Sequence, residues 1–194
     1  MTIFLAEQVA DAATAIRRGE IVAFPTETYY GLAVDALLPS ALARLFALKG
    51  RGESKASALL VADVAMFAEL CVEISPRAHE LAARHWPGPL TLALPARPGL
   101  PPAIVNDGCV AARVSSHAIA HALVAAVGRP ITATSANPSG RPPVCSAHEV
   151  LALFAGQDLH ILDGGDTPGG APSTLVRIYA GAVEVLRQGP IVVG

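Results

Sequence analysis

Residues 21–36, IVAFPTETYYGLAVDA, join a short apolar run to a polar segment. The run at 21–24 predicts a strand buried on both faces, and Pro25 ends it because proline has no N–H for a strand ladder. The TET segment, residues 26–28, then lies where the strand leaves the core. Ligands of open α/β sheets bind at the carboxyl ends of strands, so this segment is a candidate binding loop. The alternative is a plain turn in which a threonine bonds its own backbone.

The composition predicts one domain over residues 1–194. With 52% hydrophobic and 15% charged residues, a chain of this length buries a core of its own. Charged residues and prolines interrupt the apolar stretches, so we expect no membrane span, and no secretory signal is evident. We therefore expect a cytoplasmic protein. The net charge of −2 is poor support for a general nucleic-acid binder.

Several familiar kinds of site are disfavoured by residue spacing. Cys71, Cys109 and Cys145 include no CxxC pair, which argues against a disulfide framework or a zinc ribbon. His117 and His121 are four residues apart but have no acidic partner in sequence, so a structural role is the better interpretation. No Walker, GxSxG or strand-borne GxGxxG motif occurs. We assign no metal ligand to the chain.

Helical and strand patterns alternate along the chain without an internal repeat. The predicted helices cover 7–18, 40–48, 63–71, 75–85, 116–127 and 146–154. The predicted strands cover 21–24, 59–62, 90–94, 110–114, 131–134, 159–162, 173–178 and 183–187. Ser40, Asp63, Ser75 and Ser146 are the expected helix caps. The order is typical of an α/β fold with a mixed sheet and an antiparallel hairpin near the C-terminus.

Three further loops carry residues suited to chemistry. The segment Lys49-x-Arg51-x-x-x-Lys55 holds both lysines of the chain, with one glycine between the first two cations and one after them. The cations of such a segment can donate hydrogen bonds to a phosphate or a carboxylate. A charged segment of this kind is also compatible with a solvent-exposed protein surface. Ser135 lies directly after a predicted buried strand and Asn137 two residues further on, where their side chains could bind a nucleotide or a hydrated Mg²⁺. The alternative is that they form a simple turn. The glycine-rich segment after residue 163 presents backbone N–H groups to an anion or is merely a flexible loop.

Taken together, the loops resemble the threonylcarbamoyl-AMP synthase family, the YrdC-like domain. The matching segments are FPTETYYGLAVDA, LKGR, HWPGPLTL, VAARV-x-x-H, ITATSANPSGRP, ILDGG, GGAPSTLV and VLRQG, in this order along the chain. The resemblance implies a single-domain α/β fold: a twisted, open, mixed and largely parallel sheet flanked by helices, with a concave ligand face. It corresponds to the short form, without the additional C-terminal domain of some relatives.

The resemblance also implies a reaction. L-threonine, bicarbonate and ATP, with Mg²⁺, would give L-threonylcarbamoyladenylate and pyrophosphate. The product feeds formation of N6-threonylcarbamoyladenosine in tRNA, so the implied partners are downstream tRNA threonylcarbamoyl-transfer proteins, with direct tRNA contact left open. No protein nucleophile is required, and catalysis would consist of positioning and of neutralising phosphate charge.

The family pattern assigns roles to particular residues. The family's catalytic tetrad is matched by Lys49, Arg51, Ser135 and Asn137. The resemblance implies that the two cations bind the phosphates and the carbamate, and that the serine and the asparagine lie on the nucleotide or metal side. The threonine-binding positions are matched by Thr26, Arg113 and Ser173, with Arg113 facing the carboxylate. The nucleotide-binding positions are matched by Arg51, Lys55, Cys109, Ser135 and Arg187.

The chain departs from the family pattern at four places. Gly52 and the pair Ala56-Ser57 replace a proline and a Pro-Leu pair, which predicts a more mobile 49–57 loop and weaker ATP binding. Cys109 stands where threonine is frequent, and Ser115 where proline is frequent. The alternatives are therefore a paralogue that uses a different acceptor, an RNA-binding module, which the net charge disfavours, and a carbamoyl-transfer domain like that of hydrogenase maturation proteins.

Overall fold

The computed structural model describes residues 1–50 and 56–193. The helices are α1 (Val9–Arg17), α2 (Pro39–Lys49), α3 (Val64–Ala68), α4 (Pro76–His85), α5 (Ala118–Val127) and α6 (Ala147–Leu153). The first six strands are β1 (Ile3–Leu5), β2 (Val22–Phe24), β3 (Gly31–Ala33), β4 (Leu59–Leu60), β5 (Leu90–Pro95) and β6 (Val105–Asn106). The others are β7 (Cys109–Arg113), β8 (Ile131–Thr132), β9 (Thr134–Ser135), β10 (His160–Asp163), β11 (Thr174–Tyr179) and β12 (Ala182–Arg187). Short 3₁₀ turns cover Ala6–Gln8 and Pro102–Ile104.

The strands form two hydrogen-bonded sheets. The first has the order β1-β10-β2-β3-β9, and the second has the order β12-β11-β5-β7-β4-β8 with β6 beside β7. The segment 131–135 joins them, because β8 pairs with β4 in the second sheet while β9 pairs with β3 in the first. The mixed, twisted α/β architecture flanked by helices is confirmed. The expectation of a single, largely parallel sheet is corrected in two respects. The strands form two sheets, and among the described strands antiparallel pairings outnumber parallel ones.

Strand β2 is buried on both faces, as its apolar run predicts. Val22 and Phe24 pack into one core cluster with α1 and α5, whereas Ala23 packs into the other. This division follows from the alternation of side chains along a strand. The buried strand delivers the chain to Pro25 and the TET segment, which therefore emerges between the two cores.

Three of the four expected helix caps are confirmed. Asp63 accepts a hydrogen bond from the Met66 backbone N–H (2.8 Å), Ser75 caps α4, and Ser146 caps α6 in a capping box. The Ser40 cap is wrong: α2 begins at Pro39, whose fixed φ suits the first helical position, so the chain turns helical one residue earlier. The predicted hairpin is formed by β11 and β12. None of the described helices is long and apolar enough to cross a membrane.

Candidate functional site

A cavity of about 610 Å³ is lined by strands of both sheets. Strands β3 and β9 contribute from the first sheet, and β5, β7, β11 and β12 from the second. Six of the predicted site residues line it: Thr26, Cys109, Arg113, Ser135, Ser173 and Arg187. The structure therefore brings the predicted threonine-binding residues and part of the predicted nucleotide-binding set to one place. Arg51 and Lys55 lie outside the described residues.

Lys49, Ser135 and Asn137, which we call the SAN cluster, lie together beside the cavity. The Lys49 ammonium donates to the backbone carbonyls of Ser135 (2.5 Å) and Asn137 (2.6 Å), and more weakly to the Asn137 side-chain oxygen (3.4 Å). The Ser135 hydroxyl donates to the same amide oxygen (2.5 Å), and the Asn137 amide donates to the carbonyl of Arg141. Three members of the predicted tetrad thus form one hydrogen-bonded unit.

Local backbone structure explains why Lys49 reaches this position. Helix α2 ends in Gly50, whose left-handed backbone (φ 59°) stops the helix immediately after Lys49. The Lys49 carbonyl then accepts a hydrogen bond from the Ser139 N–H (2.8 Å), which ties the helix end to the loop after β9. The Lys49 side chain is 4% exposed, so in this structure it supports the loop from behind.

Glu27, Arg113 and Ser115, which we call the arginine cluster, form a second polar unit. Arg113, the last residue of β7, makes an ion pair with Oε1 of Glu27, and the Ser115 hydroxyl donates to Oε2 (2.6 Å). The side chains of the ion pair are 10% and 16% exposed. Burial lowers the pKa of Arg113 from its ordinary value, and the Glu27 carboxylate counteracts that effect.

Ser173 and Arg187 border the cavity beside β5. The Ser173 hydroxyl lies 2.7 Å from that of Thr91, and the Arg187 guanidinium donates to the Ser173 carbonyl (3.0 Å) and hydroxyl (3.1 Å). Burial lowers the pKa of Arg187. Arg187 thus fixes the position of Ser173.

Thr26 fits both of the interpretations that the sequence allows. Its hydroxyl donates to the Tyr29 carbonyl (2.6 Å) and accepts from the Thr28 N–H (3.2 Å), which is a local turn. Thr26 nevertheless lines the cavity.

The glycine-rich segment packs against this turn through a hydrogen bond from the Gly169 N–H to the Thr28 carbonyl (2.7 Å). A Cβ at Gly164 would lie 2.4 Å from Cδ1 of Ile119 and 2.8 Å from the Pro25 ring, so a larger residue there would displace these side chains.

The cysteines are not set up as nucleophiles. Burial raises the pKa of Cys71 to about 12 and also raises that of Cys109. Both thiols therefore stay protonated at neutral pH. Burial lowers the pKa of His117, with Glu27 opposing the shift. The described residues include no group of three or more His, Cys, Asp or Glu side chains suited to a metal.

Sequence reasoning missed the roles of Glu27, Thr91 and Ser115. Glu27 was visible only as one polar residue of the TET segment, although its carboxylate contacts Arg113 at the end of β7 and Ser115 just after it. Thr91 is the one polar residue in the buried strand LTLALP, and that signal was available. Ser57 also lines the cavity, but its hydroxyl is buried without a hydrogen-bond partner among the described residues.

The fold and the cavity define an α/β protein whose cavity between two sheets suits a small anionic or zwitterionic ligand. Arg113 and Arg187 line the cavity, and Lys49 supports its wall. Guanidinium and ammonium groups beside hydroxyls and amides are the donors that phosphates and carboxylates need.

Comparisons with known proteins narrow this class. A family model named Sua5_yciO_yrdC, described as telomere recombination, matches residues 14–189. The chain is 42% identical over 180 residues to the threonylcarbamoyl-AMP synthase of Pyrococcus abyssi, covering 92% of this chain and 53% of that protein. It is 36% identical over 184 residues to the threonylcarbamoyl-AMP synthase of Chromohalobacter salexigens, covering 94% and 98% of the two chains. The crystal structure of P. abyssi Sua5 complexed with L-threonine has a TM-score of 0.91 at 39% identity, covering 97% of this chain and 58% of that one.

The chain belongs to the Sua5/YciO/YrdC family, as the resemblance of its motifs indicated. It spans about half the length of the P. abyssi and Bacillus subtilis synthases, at 53% and 54%, and nearly all of the C. salexigens protein.

Proposed function

We propose that this chain joins L-threonine, bicarbonate and ATP to give L-threonylcarbamoyladenylate and pyrophosphate. The observation that carries the proposal is the meeting of four separate chain segments at one cavity. Thr26, Arg113 and Ser173, which match threonine-binding positions, line it together with Ser135 of the SAN cluster. The relatives named threonylcarbamoyl-AMP synthase and the threonine-bound P. abyssi structure support the same reaction.

The chemistry proceeds in two steps. The threonine amine adds to bicarbonate, with loss of water, to form a carbamate; a carbamate oxygen then attacks the α-phosphorus of ATP and pyrophosphate leaves. Neither step requires a protein nucleophile, which suits a site whose buried thiols stay protonated. The chain's contribution is positioning of the reactants and neutralisation of developing phosphate charge.

Each cluster takes one part of this work in the proposal. Arg113 holds the threonine carboxylate, helped by the hydroxyls of Thr26 and Ser173. Lys49 neutralises phosphate charge, and Ser135 and Asn137 hold the nucleotide side. From the family pattern we also expect four further residues to contact the nucleotide: Arg51, Lys55, Cys109 and Arg187.

Mg²⁺ enters the proposal as the counter-ion of ATP. It usually keeps several waters and binds through substrate phosphates, and it needs few ligands from the protein. The Ser135 hydroxyl and the Asn137 amide oxygen, 2.5 Å apart, are neutral oxygen donors of the kind that suits a hydrated Mg²⁺–ATP complex. The product would pass to tRNA threonylcarbamoyl-transfer proteins.

Pyrophosphate release by the pure protein tests the reaction. The assay contains ATP, Mg²⁺, bicarbonate and L-threonine, and each component is omitted in turn. We expect release only when all four are present. Release without threonine would indicate a different acceptor, and the absence of both release and ATP binding would exclude the synthase reaction for this chain.

A further inference from the structure

Glu27 has no part in the reaction proposed above, although it is the direct partner of Arg113. Its two carboxylate oxygens receive different donors: Oε1 pairs with the Arg113 guanidinium, and Oε2 accepts the Ser115 hydroxyl (2.6 Å). Ser115 is 1% exposed, and its oxygen also accepts the His117 N–H (3.2 Å). Both oxygens of the Glu27 carboxylate are therefore bound, one by the last residue of β7 and the other by the segment that follows it.

The ion pair uses only one nitrogen of Arg113. A guanidinium carries five N–H donors, and the Nε and Nη2 groups form a planar fork that matches a carboxylate. Only Nη1 of Arg113 is bonded to Glu27, and the fork donates to no other side chain or carbonyl in the described part of the chain. Arg113 lines the cavity, and its Nε and Nη2 groups are the donors that the Glu27 contact leaves unused.

We propose that Glu27 and Ser115 are positioning residues, which orient the Arg113 fork toward the carboxylate of an amino-acid substrate. A flexible arginine loses conformational freedom when it binds a ligand, whereas an arginine held by an ion pair has already lost it. Ser115 fixes the second oxygen of Glu27 and so restricts rotation of the carboxylate.

This inference rests on the proposed threonine substrate and makes a distinct claim about affinity. Positioning through Arg113 affects threonine binding and leaves ATP binding unchanged. Ser115 acts only through Glu27, so the two substitutions are not additive. If Glu27 and Ser115 had a purely structural role, their substitution would weaken the binding of threonine and ATP equally or would change stability alone.

The test is calorimetric titration of L-threonine and, separately, of Mg²⁺–ATP into the full chain and five variants: Ser115→Ala, Glu27→Gln, their double variant, Ser115→Thr and Ser116→Ala. Ser116 is the exposed neighbour of Ser115 and serves as the matched control. We expect threonine affinity to fall about three- to tenfold in Ser115→Ala and about tenfold or more in Glu27→Gln. The double variant should be no weaker than Glu27→Gln alone, Ser115→Thr should restore affinity, and Ser116→Ala should match the unchanged chain.

The results separate this inference from the proposed function. If the unchanged chain binds ATP but no threonine, the substrate is wrong and the inference fails with it. If it binds threonine and Ser115→Ala binds it equally well, the positioning role is overturned while the proposed function stands. Additive losses in the double variant, or equal losses for threonine and ATP, also overturn it. Ser115→Ala keeps the buried ion pair, so the test holds even if Glu27→Gln fails to fold.

Discussion

The two polar clusters at the cavity hold their cations in different ways. In the SAN cluster, the Lys49 ammonium contacts three neutral oxygens of the loop after β9. In the arginine cluster, Arg113 is paired with a carboxylate. These Lys49 contacts orient an ammonium against the loop, whereas the Glu27 contact fixes one edge of a guanidinium.

This difference assigns different physical work to the two clusters. An ammonium is a compact point charge and contributes by electrostatic stabilisation, which is greatest where charge develops during reaction. A guanidinium contributes also by geometry, through the direction of the donors that its ion pair leaves unused. Substitutions should therefore affect turnover at Lys49 and substrate affinity at Arg113.

The largest expected effect is that of Lys49→Met. Methionine keeps most of the apolar stem and removes the ammonium, so the cavity wall stays filled while the charge is lost. We expect kcat for pyrophosphate release to fall about 10²- to 10³-fold, with a much smaller change in KM for threonine. Steady-state kinetics with threonine and ATP varied separately would measure both.

Arg84→Met is the control for this substitution. Arg84 lies on α4 with its side chain 63% exposed, so the loss of its charge should leave kcat unchanged. A Lys49→Met variant with near-normal turnover would remove Lys49 from the chemistry and leave it as support for the loop.

Arg113→Met should have the next largest effect, on the free energy of unfolding. The substitution leaves the Glu27 carboxylate, 16% exposed, without its ion-pair partner. We expect a loss of about 3 kcal/mol, because an uncompensated buried charge is costly. Urea denaturation would measure it as a shift of the unfolding midpoint.

The double variant Arg113→Met/Glu27→Gln sharpens this stability prediction. Removal of both charges should recover most of the loss, since replacing a buried pair entirely is often close to neutral. If the double variant is as unstable as Arg113→Met, the loss comes from packing around Arg113, and the ion pair has little part in it.

Local chemistry was predictable from the sequence, and long-range pairing was less so. The Ser75 and Ser146 caps depend on residues within one helical turn, and both were predicted correctly. The run 131–134 has the pattern of one strand, yet its residues pair with different sheets on either side of Ala133. Backbone pairing of this kind is set by which strands meet in the folded chain, and local sequence pattern does not specify it.

The candidate site shows the same division. Motif resemblance identified Arg113, but its partner Glu27 is 86 residues away along the chain. No periodicity joins two residues at that separation, and only the fold brings the TET segment against the end of β7. The departure from proline at Ser115 was visible in the sequence, whereas its contact with Glu27 was not.

A smaller effect is expected from Arg113→Lys. Lysine keeps the positive charge, so the pair with Glu27 survives, but its ammonium has no planar fork for a carboxylate. We expect KM for threonine to rise about tenfold while kcat at saturating threonine changes little. An unchanged KM would mean that charge alone binds the carboxylate, and the contrast between the two clusters would disappear.

The smallest effect should come from Ser57→Ala, at a polar side chain of the cavity that neither cluster contacts. The Ser57 hydroxyl is buried and has no hydrogen-bond partner among the described residues. Burying an unpaired hydroxyl destabilises the folded state, so its removal should relieve that destabilisation. We expect the free energy of unfolding to stay the same or to rise by about 1 kcal/mol, as measured by urea denaturation.

Thr132→Val provides the matched comparison for Ser57. Thr132 is fully buried like Ser57, but its hydroxyl accepts from the Val34 N–H (3.1 Å) and donates to the Leu32 carbonyl (3.0 Å). Valine has the same shape and breaks both bonds, which should cost about 1–3 kcal/mol. Equal losses in the two variants would show that the Ser57 hydroxyl is satisfied in solution. Opposite signs would show that burial without a partner is the actual state of the Ser57 hydroxyl.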